Sequence, residues 1–350
     1  MPERWDQAGF RDRVDTLLAG FLGGEADQLV AIDEALRPVA GQLRAAAAHG
    51  KRLRAAFCYW GWRAAGQPEN EALLRAAASM ELVHAAAVVH DDLIDDSPLR
   101  HNLPTAHVAL RAAVTGRPRA HAAARSLAML VGDHLMALAG QLFATSGLPA
   151  AYLARARPLW AELARELIAG ECLEILSTGA PPDTDRSLKV VRYKTAKYTV
   201  EQPLLIGASL AGAAPGLRAG LSGYGLPLGE AFQLRDDLLG LFGEPATTGK
   251  SGLDDLRGHR PTTLLARAWQ SAGPDRREQL TALLGRPDLD EADLRAVRGL
   301  LRELKAPDQV EELIAARVRE AVGSLGGLAM AASARRALTD LAHTATDRPC

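Results

Sequence analysis

The chain has 350 residues, enough for a sizeable core in one large domain or in two or three ordinary ones. Lys plus Arg number 41 against 42 Asp plus Glu, a formal net charge of −1, so the diffuse basic field that draws proteins to nucleic acid is missing and no such partner is expected. Hydrophobic residues make up 48%, charged residues 24% and aromatic residues only 5%, in a chain rich in Ala, a balance that favours helix over sheet.

Cys58, Cys172 and Cys350 are widely spaced and odd in number, which suits a reducing cytoplasm and neither a disulfide framework nor a zinc site. The opening run MPERWDQAGFRDR carries acidic residues and no unbroken apolar core, so it does not read as a secretory signal. The longest apolar stretch, Leu204 to Leu217, is interrupted by Gly207, Gly212, Pro215 and Gly216, and no membrane span is expected.

Apolar residues recur at three- and four-residue spacings nearly throughout, without sustained alternation between hairpin turns, so the expected fold class is all-α. The expected helices are 7–21, 27–48, 51–66, 70–95, 105–113, 120–146, 149–178, 185–212, 217–241, 261–272, 277–284, 290–304, 307–324 and 328–343. They are separated at points such as Gly66-Gln67-Pro68, Gly147-Leu148-Pro149, Pro181-Pro182 and Gly273-Pro274, where Gly and Pro stop a helix. No break has the length of a linker and no fixed-period repeat is present, so a single domain over residues 1–350 is expected.

In chain order, the helix 51–66 opens on Gly50-Lys51-Arg52-Leu53-Arg54, a cluster of three cations. The helix 70–95 ends in HDDLIDD, with Asp91, Asp92, Asp95 and Asp96 crowded at its C-terminal end. Asp91 and Asp95 share a face, and like charges there are opposed both by one another and by the negative end of the helix dipole. A compensating cation is expected, or else a solvated helix end. His84 lies seven residues before Asp91 on the same face, as a neutral core imidazole or as a diphosphate donor.

The helix 217–241 carries a second acidic pair in an apolar run, GEAFQLRDDLLG, with Asp236 and Asp237 following Gln233. Two carboxylate clusters on helices too apolar to face water suggest walls of one cavity. Hard oxygen ligands of this kind suit Mg²⁺ completed by substrate phosphates. Arg100, Lys194, Lys197, Lys250 and Arg260 are the cations near these segments. The Gly- and Pro-rich polar stretch from Gly243 to Thr263 is a candidate active-site lid.

From about Gly50 to Leu265 these motifs resemble, in order, those of the trans-isoprenyl diphosphate synthases, or polyprenyl synthetases. HDDLIDD resembles the family's first aspartate-rich motif and GEAFQLRDDLLG its second, while GKRLR, Gly132-Asp133, YKTAKYTVEQPL and the loop up to Arg260 also match. The likeness is greatest to bacterial geranylgeranyl diphosphate synthases, FCYWGWR at Phe57 to Arg63 included.

The resemblance implies a single all-α bundle around a deep cavity, generally as a homodimer. It implies that Asp91, Asp92, Asp95, Asp236 and Asp237 hold Mg²⁺, three ions in all, bridging an allylic diphosphate donor that Arg100, Lys194 and Arg260 grip. Thr195 and Gln233 would stabilise the allylic cation, Phe232 would contact substrate, and Gly50, Lys51, Arg54, His84 and position 101 would seat isopentenyl diphosphate. Val83, Ala86 and Ala87, a turn or two before Asp91, would line the chain-length pocket, about 5.4 Å per turn. Small side chains there favour a product near C20, unless they serve only close helix packing.

The chain departs from the family at His101, where a second arginine follows Arg100, and at Asn102, where it has glycine. Glu171 stands for Gln and Glu174 for Asp, Arg260 takes a lysine position with Pro261 after it, and Gly240 replaces a third aspartate. These changes admit a second reading, prenyl transfer to another small acceptor such as indole. A class I terpene cyclase and a catalytically silent partner subunit are lesser alternatives.

Overall fold

The computed structural model describes residues 5–243, 252–258, 260–286 and 288–347. Lys250 and much of the expected lid fall outside the described residues. Two compact units emerge, one built on residues up to Arg155 plus Gly207–Gly212, the other on Ala156–Ile206 plus residues from Ala213 onward.

The first unit contains α1 (Gln7–Ile32), α2 (Arg37–Ala46), α3 (Leu53–Ala64), α4 (Glu71–Ile94), α5 (Ala106–Ala109), α6 (Ala120–Ala144) and the opening of α7 (Ala150–Ser177). One helix, α1, replaces the expected 7–21 and the start of 27–48. Gly20, Gly23 and Gly24 have open space around them, and the buried row Phe10, Val14, Leu18, Leu22 and Ala26 runs straight past them. Burial of that row outweighs roughly 1 kcal/mol of lost helix propensity per glycine. The break comes instead at Asp33, whose side chain accepts from the amide of Ala35 at 2.8 Å. Pro38 then stands in the first turn of α2, next to its first residue Arg37.

Helix α4 packs on α3 and α6, and most of its residues from Leu73 to Ala86 are buried. By length and composition α4 and α6 are each long and apolar enough to cross a membrane, but 72% of the apolar window of α4 is buried within the protein, so packing accounts for its composition. Trp5, Phe10, Tyr59 and Trp60 form a ring cluster with centroids 5.1–5.5 Å apart that ties the N-terminal segment to α3. After α4 comes a short hairpin that the helical reading did not foresee, β1 (Leu99–Arg100) paired antiparallel with β2 (Leu103–Pro104).

The second unit holds the rest of α7, then α8 (Thr184–Val190), a π-helix (Val191–Glu201) and α9 (Gln202–Leu210), within which the chain passes back to the first unit. Sequence periodicity suggested one helix over 185–212. The π-helical stretch widens the turn where YKTAKYTVE lies, and such wide turns concentrate at functional sites. The backbone of Lys194 runs against Gly170 of α7, and those of Ala196 and Glu201 against Gly229 and Gly225 of α10 (Pro215–Phe242). The rest comprises α11 (Gly252–Arg257), α12 (Thr263–Ser271), α13 (Pro274–Leu284), α14 (Glu291–Glu303), α15 (Ala306–Ser324) and α16 (Ala332–Thr346). Its core joins Leu234, Leu238 and Leu241 to Leu264, Val297, Leu301, Val310 and Ile314. Pro274, read as a break, is the first residue of α13, where its missing N–H is not needed. Helix α11 occupies part of the stretch expected as loop.

Candidate active site

On α4, His84, Ala87, Val88 and Asp91 keep partial exposure, as does Asp95 at its C-cap, whereas Val83 and Ala86 are buried. The spacing places the first group along one open face. Of the three small residues singled out for chain length, Ala87 lies on that face. Val88 shares it and was missed, since periodicity alone made it one more apolar residue.

The cation that the crowded carboxylates call for is Arg100 of β1. Its Nε and Nη2 donate to Asp92 Oδ1 at 2.8 and 2.6 Å, and Nη2 donates to Asp91 Oδ2 at 3.1 Å. Burial works against the Arg100 charge, yet Asp92 and Asp91 more than offset it and its pKa is raised. Asp92 is buried and Asp91 half-buried. Arg100 reaches them because His101 and Asn102, with φ of 51° and 62°, form a two-residue hairpin loop. Positive φ at both positions is the geometry that matches strand twist, and Asn suits it better than His. His101 is solvent-exposed.

Burial and the neighbouring Arg54, Arg100 and Arg52 push the pKa of His84 well below its usual value. At neutral pH it is therefore an uncharged imidazole, able both to donate and to accept. In the GKRLR segment Gly50 takes φ 148°, Lys51 is exposed and Arg54 is buried in the first turn of α3. Arg52 is buried and donates to Asp15 Oδ1 at 2.5 Å and to the carbonyl of Ala47 at 2.6 Å. It therefore fastens the loop, so one of the three cations read from the sequence has a structural task. Glu81, buried on α4, accepts from the amide of Ala55 at 2.8 Å, an anion at a helix N-terminus. The Gly132-Asp133 pair also has a local reason: a Cβ on Gly132 would stand 2.3 Å from His90 Nε2, and that nitrogen lies 3.3 Å from Asp133 Oδ1.

In the second unit, Lys194 Nζ lies 3.0 Å from Glu171 Oε2 and also donates to Glu174. The two residues that depart from the family pattern on α7 thus hold the lysine expected to meet diphosphate. Thr195 Oγ1 donates to Gln233 Oε1 at 2.7 Å, and Gln233 Nε2 donates to Asp237 Oδ1 at 2.7 Å. Phe232, Gln233, Asp236 and Asp237 are half-buried together on α10. Arg260 is half-buried, two residues before Thr262, the cap of α12. Lys197 differs from expectation: it donates to Glu166 Oε1 at 2.8 Å, with Glu162 and Glu201 at 3.9 Å. It belongs to a polar cluster between the π-helix and α7 that no motif signalled.

Carboxylate oxygens are the donors offered by Asp91 and Asp92 on α4 with Asp95 at its C-cap, and separately by Asp236 and Asp237 on α10; each group is of the hard-oxygen type that suits a divalent cation such as Mg²⁺.

The sequence pattern described as polyprenyl synthetase matches residues 39–301. The chain is 33% identical to a geranylfarnesyl diphosphate synthase of Aeropyrum pernix, over 75% of this chain and 79% of that protein. It is 31% identical to heptaprenyl diphosphate synthase component 2 of Geobacillus stearothermophilus, over 91% and 94% of the two chains. A crystal structure of geranylgeranyl pyrophosphate synthase from Corynebacterium glutamicum, complexed with isoprenyl diphosphate and magnesium, superimposes with a TM-score of 0.94 at 34% identity, over 99% of this chain and 100% of that one.

Proposed function

The chain belongs to the polyprenyl synthetase family and is a trans-prenyltransferase; from that premise we propose that it condenses an allylic diphosphate with isopentenyl diphosphate to give a product near C20. The observation that carries this reading is the grip of Arg100 on both Asp91 and Asp92 beneath the open face of α4. An arginine so placed can pass from carboxylate to diphosphate oxygens without leaving its position.

Asp91, Asp92, Asp95, Asp236 and Asp237 would hold magnesium ions, three in this reading; that the Corynebacterium glutamicum relative is complexed with magnesium and isoprenyl diphosphate supports the use of a divalent metal. When bound, the metal supplies charge stabilisation to the departing pyrophosphate. Arg100, Lys194 and Arg260 bind the donor diphosphate, Lys194 exchanging Glu171 and Glu174 for its oxygens. Thr195, backed by Gln233 and Asp237, turns its hydroxyl oxygen toward the allylic cation. Gly50, Lys51, Arg54 and neutral His84 seat the acceptor diphosphate, with Phe232 against substrate and Ala87 and Val88 leaving room for the growing chain.

We further infer one catalytic domain over the whole chain, cytoplasmic and homodimeric. The exposed Ile168, Ile175 and Leu176 of α7 support the dimer, being apolar surface that association would cover. The function is tested by mass analysis of products from Mg²⁺ and geranyl, farnesyl or geranylgeranyl diphosphate, each with and without isopentenyl diphosphate, and then with indole. Elongated diphosphates that require isopentenyl diphosphate, ending near C20, are the expected result. Prenylated indole without elongation would replace this reading by transfer to a different acceptor.

A further inference from the structure

The last carboxylate of HDDLIDD, Asp96, does not join Asp91 and Asp92 on Arg100. It takes φ 52°, a left-handed conformation that turns the chain out of α4. Its Oδ1 accepts from Arg125 Nη1 of α6 at 2.6 Å, while Nε2 of His107 lies 3.4 Å away without a hydrogen bond. Arg125 Nη2 donates to the carbonyl of Leu93 at 2.8 Å, one of the end carbonyls that α4 itself leaves without a partner. His107 is 1% exposed, and its Nδ1 lies 3.3 Å from Thr105 Oγ1, which donates to the carbonyl of Ser97 at 2.7 Å. The Thr105 amide donates to the carbonyl of Pro98 at 3.1 Å.

These bonds close the base of the 97–105 arm on both strands, and Arg100 sits at the arm's far end next to the loop. A hairpin of two residues per strand has no stability of its own in water. Its direction is therefore set at the base, and the Arg100 guanidinium inherits that direction.

We propose that Asp96 and Arg125 clamp the base of this hairpin and thereby position Arg100 for the donor diphosphate, an inference that rests on the role of Arg100 given above. Asp96 is then a positioning carboxylate and not a metal ligand, although it stands in the aspartate-rich motif.

The test is binding of a non-ionising donor analogue, farnesyl thiodiphosphate with Mg²⁺, by calorimetry on the full-length chain. The variants are Arg100→Met, Arg125→Met, Arg125→Lys, Asp96→Asn and the double variant Arg100→Met with Arg125→Met. Arg125 is partly exposed, and thermal unfolding checks that each variant is folded. Arg125→Met and Asp96→Asn are expected to weaken the analogue roughly tenfold, the size of a lost charge-assisted bond, with the KM for isopentenyl diphosphate unchanged. Arg125→Lys should recover part of the loss. The double variant should bind no worse than Arg100→Met alone, because both changes act on one guanidinium. Loss in Arg100→Met but not in Arg125→Met, or strictly additive losses, overturns the clamp. Unchanged binding in Arg100→Met overturns the role given to Arg100 itself.

Discussion

A Cβ placed on Gly170 would stand 2.2 Å from the backbone nitrogen of Lys194. Helix α7 and the π-helix therefore meet backbone to backbone at the residue whose side chain Glu171 and Glu174 hold. The obstacle is main chain, which cannot rotate away as a long side chain could. Gly170→Ala is expected to destabilise the protein by about 1–3 kcal/mol, the usual range for overpacking a closed contact, and to lower turnover by displacing Lys194 and Thr195. Thermal unfolding and steady-state kinetics check both. An alanine variant with normal stability and turnover would mean that the π-helix shifts freely, and that its position does not matter for the reaction.

The metal assignment is tested at Asp91 and Asp236, one in each aspartate motif. Asp91→Ala or Asp236→Ala is expected to lower kcat by roughly 10²-fold or more, the scale of losing one element of charge stabilisation at a departing oxyanion. Asp91→Ala also removes one of the two carboxylates on Arg100. Titration of Mg²⁺ against rate should show a raised half-saturation in both variants. Near-normal turnover in purified Asp91→Ala would sink the assignment.

Much of this was legible in the sequence because it depends on spacing along one element. The open face of α4, the half-buried row of α10 and the all-helical class follow from periodicities of three and four residues. What was not legible depends on contacts between elements. Nothing local distinguishes Arg52, fastened to Asp15, from Lys51 beside it, and the pairing of Lys197 with Glu166 joins residues 31 apart in sequence. The continuity of α1 through three glycines is likewise a tertiary effect, visible only once the buried row from Phe10 to Ala26 is known.

His101 occupies the first loop position of the hairpin with φ 51° and is solvent-exposed, and an imidazole lacks the fixed charge of a guanidinium. His101→Arg places a guanidinium there, which can bind diphosphate oxygens in a fixed fork. A lower apparent KM for isopentenyl diphosphate is expected, with donor KM unchanged. An unaltered KM would show that position 101 does not contact the acceptor.

Glu201 ends the π-helix in a buried setting that disfavours its charge. Burial raises its pKa; bonds from Ser222 and the charge of Lys197 work the other way, and Glu166 and Glu162 raise it further. Its Oε2 lies 3.9 Å from Lys197 Nζ and has no hydrogen bond. A carboxyl whose pKa is higher folded than unfolded holds its proton longer in the folded state. Stability from this group is therefore fully present below the ordinary value of 4.5 and is lost as pH rises through the raised folded value. Glu201→Gln keeps the shape and the acceptor for Ser222 while removing the charge. It is expected to raise stability at pH 8 by on the order of 1 kcal/mol and to flatten the fall in stability between acid and neutral pH, as followed by denaturant unfolding across that range. A Glu201→Gln variant less stable than the parent at pH 8 would mean that Lys197 depends on the Glu201 charge, and that the cluster with Glu166 is held by the ion pair in spite of burial.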